Sequence, residues 1–98
     1  MSFVQVIEFT TSRRDEIDRL MDAWVAETEG RRTPTRSLTC TDRERPGTYL
    51  EIVEFPSYEE AMRNSSLPET ANFAEQMTKL CDSGPIFRNL DVLRVDEL

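Results

Sequence analysis

A chain of 98 residues with 19 acidic and 12 basic side chains and no histidine has the length of one domain, enough to bury roughly 65% of its unfolded surface without metal or disulfide support. Its net charge of −7 repels phosphate backbones and anionic lipid headgroups, which argues against nucleic-acid and membrane partners. The 2 cysteines, Cys40 and Cys81, show neither zinc-ligand spacing nor a disulfide framework, and no apolar run approaches the roughly 18 residues of a membrane span, so the expected address is the cytoplasm.

The stretch Phe3-Val4-Gln5-Val6-Ile7-Glu8-Phe9 is rich in β-branched and aromatic residues and ends at Thr10-Thr11-Ser12, which predicts a first strand. Ser12 is the expected cap of a helix from Arg13 to about Glu29. In that helix Ile17, Leu20, Met21, Trp24 and Val25 recur at three- and four-residue steps, while Asp15, Glu16, Asp18, Arg19 and Asp22 face away. Gly30 supplies its left-handed stop. Thr35 to Thr41 and Thr48 to Phe55 read as a hairpin whose loop contains Pro46-Gly47. Ser57-Tyr58-Glu59-Glu60 has the capping-box pattern and opens a short helix to about Asn64. Pro68 suits the first turn of a third helix with Phe73, Ala74, Met77, Leu80 and Cys81 as its buried stripe, and Gly84-Pro85 ends it. Leu90 to Val95 is the predicted last strand.

The order β-α-β-β-α-β, with its second helix in two pieces, is the ferredoxin-like split arrangement, an α+β fold with a four-stranded antiparallel sheet and helices on one face. Both sheet faces carry apolar side chains: Tyr49, Val53 and Phe55 against Leu50 and Ile52, and Phe3, Ile7 and Phe9 against Val4 and Val6. A free face facing water should instead alternate cleanly, so something must cover it. A second copy is the simplest cover, since one face of such a sheet is close to the about 800 Å² per partner that a stable interface needs.

From Ile52 through Val53-Glu54-Phe55-Pro56-Ser57-Tyr58-Glu59-Glu60 to Ala61, the chain resembles the dimeric α/β-barrel superfamily, nearest its antibiotic-biosynthesis-monooxygenase-like members. Those proteins have a strand ending in Glu-Trp or Glu-Phe followed by a Ser-x-Glu-Ala helix start. The segment Asn64-Ser65-Ser66-Leu67-Pro68-Glu69 falls where many members carry His-x-x-Ser-Pro-His. The resemblance implies a homodimeric α/β barrel, with a pocket in each subunit between its sheet and its helices. It also implies one of several activities: metal- and flavin-free oxidation of aromatics, haem degradation or isomerisation of small lactones. Asn64 and Glu69 stand in place of both family histidines, which removes the usual haem ligand and the commonest acid or base at neutral pH. Neither a metal nor a cofactor is expected.

Among the polar strand residues Gln5, Glu8, Glu51, Glu54 and Arg94, a half-buried carboxylate would have a raised pKa suited to proton transfer, or would simply be paired. If Glu51 and Arg94 share a face they pair with each other. As an enzyme, the protein would act on a small conjugated apolar molecule as a cofactor-independent monooxygenase or isomerase. Glu51 or Glu54 would be the base, Asn64 and Tyr49 donors to an oxyanion, and Trp24 and Phe73 the walls, with Met77 and Arg94 also against the ligand. As a binding module it would hold a small apolar or aromatic ligand without turnover; as a structural dimer, its space between sheet and helices would be filled. An open cavity separates the first two readings from the third.

Overall fold

Side chains alternate along β1, Phe3–Thr10, so that Phe3, Gln5, Ile7 and Phe9 project to one face and Val4, Val6 and Glu8 to the other. The computed structural model, which describes residues 2–98, propagates that alternation across the whole sheet. β3, Thr48–Phe55, lies antiparallel to β1 with Ile7 opposite Glu51 and Phe3 opposite Phe55. β2, Arg36–Thr41, pairs on the far side of β3, and β4, Ser83–Asp91, on the far side of β1, giving the order β2-β3-β1-β4.

The helices α1 (Arg14–Glu27), α2 (Tyr58–Ser65) and α3 (Pro68–Leu80) cover the Phe3/Ile7/Phe9 face. Two apolar clusters tie them down. Ile7 and Phe9 meet Ile17 of α1 and Met77 of α3 at one end, and Phe3 and Phe55 meet Ala61 of α2 at the other. Burying each larger side chain of these clusters is worth about 1.5–3 kcal/mol, which fixes the helices at both ends of the sheet and leaves the middle free to differ.

The helix starts depart from the sequence expectation in two places. Ser57 accepts a hydrogen bond from the Glu60 amide as a cap should, although the Glu60 carboxylate turns to Arg63 instead of closing the box. Ser12 does not cap α1. Thr11 acts there: buried, it accepts from the Arg13 amide and donates to the Leu80 carbonyl at 2.7 Å, which joins the start of α1 to the end of α3. Gly30 does adopt a positive φ of 81°, beyond the helix end at Thr28.

The last strand is displaced from its predicted span. It runs over Ser83–Asp91 rather than Leu90–Val95, because β1 begins at Phe3 and offers no partner beyond Asp91 except the single bond from the Val92 amide to the Ser2 carbonyl. Gly84-Pro85, expected to be a break, lies inside the strand near the register shift between Glu8 and Thr10. An edge strand tolerates proline because its missing N–H faces outward. Gly84 has φ +82°, and a Cβ there would stand 2.7 Å from the Glu8 carbonyl oxygen, so glycine alone lets β4 approach β1 at this point.

Candidate active site

Between the two apolar clusters the helices stand off the sheet and enclose a partly open cavity of about 260 Å³. Gln5, Ile7, Glu51, Val53, Phe55 and Phe87 form its floor, and Met21, Trp24, Phe73, Ala74 and Met77 its roof, with Asn64 of α2 at the side. Arg32, Pro34, Thr35 and Arg36, on and just after the connection from α1 to β2, complete the lining. The space falls just below the usual size of ligand pockets, about 300 to 1,000 Å³.

Glu51 is the buried charge of this cavity, at 7% exposure. The register places it across from Ile7 on one side and Thr39 on the other, so all three project toward the helices. Thr39 Oγ1 donates to one carboxylate oxygen at 2.8 Å and the Ser37 hydroxyl donates to the other. No arginine or lysine among the described residues lies within ion-pair distance. Desolvation pushes the Glu51 pKa above the ordinary carboxylate value, the two hydroxyls oppose that shift, and the charge of Asp18 on α1 adds to it. Asp18, expected to face away from the core, is therefore felt inside the site.

Asn64, 6% exposed, ends α2 with its side-chain oxygen accepting from the Thr33 amide at 3.4 Å. No hydrogen bond is made by its amide nitrogen among the described residues, and Asn64 is one of the residues that line the cavity. The Trp24 indole N–H donates to Thr70 Oγ1 at 2.9 Å, which locks the ring against the cavity while its face stays apolar.

Five of the seven residues singled out in the sequence thus meet around one space: Glu51, Asn64, Trp24, Phe73 and Met77. Two do not. Tyr49 faces the helices but sits at the closed end, stacked on Phe9 at 5.7 Å with the Arg14 guanidinium over its ring. Arg94 lies in the chain beyond β4, 82% exposed, bonded to Asp96 and not to Glu51. Glu54, the other candidate base, points to the open face and pairs with Arg36. Gln5, noted in the sequence among the polar strand residues, does line the cavity, whereas Ser37, Thr39, Thr70 and Arg32 went unnoticed as site residues. The alternation of β2 would have aligned Ser37 and Thr39 with Glu51, but only once the pairing register was known. Cys81, at the end of α3, has its pKa raised by burial and by Asp82, which keeps it a thiol.

Neither a family model nor a curated protein matches the sequence. Solved structures do match it over nearly their whole length. Rv0793 from Mycobacterium tuberculosis superposes with a TM-score of 0.79 at 14% identity, covering 99% of this chain and 100% of the other. SnoaB from Streptomyces nogalater, a cofactor-independent oxygenase, gives 0.78 at 14% identity over 96% and 95% of the two chains. An antibiotic biosynthesis monooxygenase gives 0.73 at 15% identity over 96% and 100%. The chain has the fold of the antibiotic biosynthesis monooxygenases. At such identities the likeness fixes the monooxygenase-like fold alone. Among the described residues no helix is long and apolar enough to cross a membrane, and no three His, Cys, Asp or Glu side chains come together as a metal site would require.

Proposed function

We propose that the protein is a homodimeric, cofactor-independent monooxygenase that deprotonates a small, flat, conjugated molecule and lets the resulting anion react with oxygen. The observation that carries this reading is Glu51: a buried carboxylate held by two hydroxyls, without a cation among the described residues, on the floor of an apolar cavity that Asn64 also lines. An unpaired buried charge costs several kcal/mol in stability, of order 1–3 kcal/mol or more even when partly hydrogen-bonded. Core packing would have removed it; proton transfer uses it, because a base whose pKa is raised toward the working pH takes a proton more readily.

In the proposed reaction the Glu51 carboxylate takes a proton from a C–H or O–H of the substrate, and the Asn64 amide donates to the oxyanion that forms. Electrons from that anion pass to oxygen and a C–O bond forms as a peroxide. The peroxide takes back the proton held by Glu51 to become a hydroperoxide; its carbon then loses its remaining C–H proton as the O–O bond breaks, the distal hydroxyl leaves with that proton as water, and a carbonyl is left. One oxygen atom ends in the product and the other in water. Trp24 and Phe73 stack on the rings, and the apolar walls keep bulk water from quenching the anion. SnoaB, which shares the fold, performs oxygenation without a cofactor.

Support for the homodimer comes from the other side of the sheet. Val4, Val6, Leu38, Cys40, Leu50, Ile52, Ile86 and Leu90 share the open face, where an apolar surface of this extent requires a cover. The pairs Arg36–Glu54 and Arg88–Glu8 border it, as a polar rim borders an interface.

The test is oxygen uptake with a hydroxylated anthrone by the wild type and by Glu51→Gln. One molecule of oxygen consumed per carbonyl formed, and lost in the variant, is the expected result. Undiminished uptake in Glu51→Gln would refute the role of the base. Tight binding with no uptake by the wild type would make the protein a binding module for the same kind of molecule.

A further inference from the structure

Three arginines lie on and just after the α1–β2 connection, and their partners differ. Arg31 grips Glu69 with two bonds of 3.1 and 2.8 Å. Arg36 grips Glu54 with two bonds of 3.0 and 2.8 Å. Arg32, between them in sequence and lining the cavity with Arg36, has no carboxylate within ion-pair distance among the described residues; it donates through Nη1 to the Val25 carbonyl at 2.7 Å. Acidic groups outnumber basic ones 19 to 12 in this chain, so a guanidinium without an acidic partner beside an apolar opening is the less expected arrangement. The planar fork of arginine offers five N–H donors, and most of those of Arg32 stay unused.

We propose that Arg32 reads a carboxylate on the ligand, so that the substrate is a conjugated acid with its charged end at Arg32 and its rings inward against Trp24 and Phe73. The reading rests on the ligand site proposed above and narrows its substrate class. A carboxylate matches the guanidinium fork with two parallel hydrogen bonds, stronger than those between neutral groups. The opposite orientation would set that carboxylate against Glu51, like charge to like in a dry space. Arg32 would therefore also choose which end of the molecule reaches Glu51 and Asn64, acting as a specificity and positioning residue with no part in the proton transfer.

Binding alone tests this, without turnover. Titration calorimetry of the full chain with naphthoate and with its neutral isostere naphthamide should show naphthoate binding about tenfold more tightly, a preference that weakens at raised ionic strength. Arg32→Gln should lose the preference while still binding naphthamide, which also shows that the variant is folded. Arg32→Lys should keep part of it. Equal affinities in the wild type, or a preference that survives in Arg32→Gln, would overturn the proposal and leave the cavity a ligand site of another specificity. If neither compound binds, the proposal falls together with the ligand site on which it rests.

Discussion

On the helix-covered face of the sheet Glu51 is buried with two hydroxyls and no cation among the described residues, whereas on the open face Glu8 and Glu54 stay more exposed and each meets an arginine. The two faces are made by alternate residues of the same strands, so neither composition nor strand position separates them. What differs is what lies above. Helices held off the sheet by clusters at both ends leave a dry space over Glu51, and water reaches the arginine-paired carboxylates. A carboxylate paired at a surface contributes about 0–1 kcal/mol and can be lost cheaply. An unpaired one inside a cavity destabilises the fold, and its presence is best accounted for by chemistry.

The largest expected effect lies on the covered face. Glu51→Gln keeps the shape and both hydroxyl contacts but removes the base, and turnover should fall by about 10²- to 10⁴-fold. A smaller loss, measured under saturating substrate, would mean that Glu51 is no more special than Glu54 and that the contrast between the faces is one of burial only. On the open face, Ile52→Asp sets a carboxylate opposite Val6 near the centre of the apolar surface. Burying it unpaired in an interface costs several kcal/mol, so the variant should elute as a monomer in size-exclusion chromatography with light scattering at concentrations where the wild type is a dimer. A wild type that is itself monomeric would remove the open face from the comparison.

Next in size is the closed end of the covered face. Met77 is 2% exposed and touches both the Ile7/Phe9/Ile17 cluster and the cavity. Met77→Ala should cost about 2–5 kcal/mol in chemical denaturation and widen the cavity. A cost below about 1 kcal/mol would show that the helices are not pinned there, and that the space over Glu51 is loose packing instead of a formed site.

This division between the faces was legible in the sequence because strand alternation carries it: Phe3, Ile7 and Phe9 against Val4 and Val6 fell as the pattern requires. The roof was legible too, since Trp24, Phe73 and Met77 lie on helical stripes that can only face the sheet. Register was not. Nothing in the sequence singled out Ser37 and Thr39, which only the strand pairing sets beside Glu51. Tyr49 shares a face with Glu51 but stands two residues toward the closed end, a difference in position along the strand that residue type does not reveal. The error over β4 has a similar origin. Leu90-Asp91-Val92-Leu93-Arg94-Val95 has strand composition, yet β1 is too short to pair with it, so Arg94 lies clear of the cavity.

A smaller effect concerns stability against pH. Burial raises the Glu51 pKa in the folded protein, so as pH climbs past about 4.3 the unfolded chain releases this proton before the folded one does. The folded state then holds more protons than the unfolded, and stability falls with rising pH until the folded group has ionised as well. Glu51→Gln has no such loss. Its melting temperature should match the wild type's trend below about pH 4 and lie increasingly above it through the window from that point up to the folded pKa, levelling beyond. A variant less stable than the wild type at neutral pH would mean that Ser37 and Thr39 more than offset the burial of the charge.

The smallest effect, and the one that sharpens the contrast most, is at Thr39. Its hydroxyl donates to Glu51 at 2.8 Å and so favours the ionised form, opposing desolvation. Thr39→Val keeps the shape and removes the donor. Glu51 should then hold its proton to higher pH, and because only the ionised carboxylate can act as base, the acidic limb of the kcat/KM profile should move upward. Activity on that limb should fall about three- to tenfold, less than a fully buried bond to a charge would give, since β2 is an edge strand where water can replace the hydroxyl. Above the limb the rate should be unchanged or slightly higher, the base being stronger. The same substitution on the open face would have no counterpart, because Glu54 is bound by Arg36 and not by a hydroxyl of β2. An acidic limb that stays in place while the plateau drops would assign Thr39 to positioning of Glu51 and leave its proton affinity to the dry walls alone.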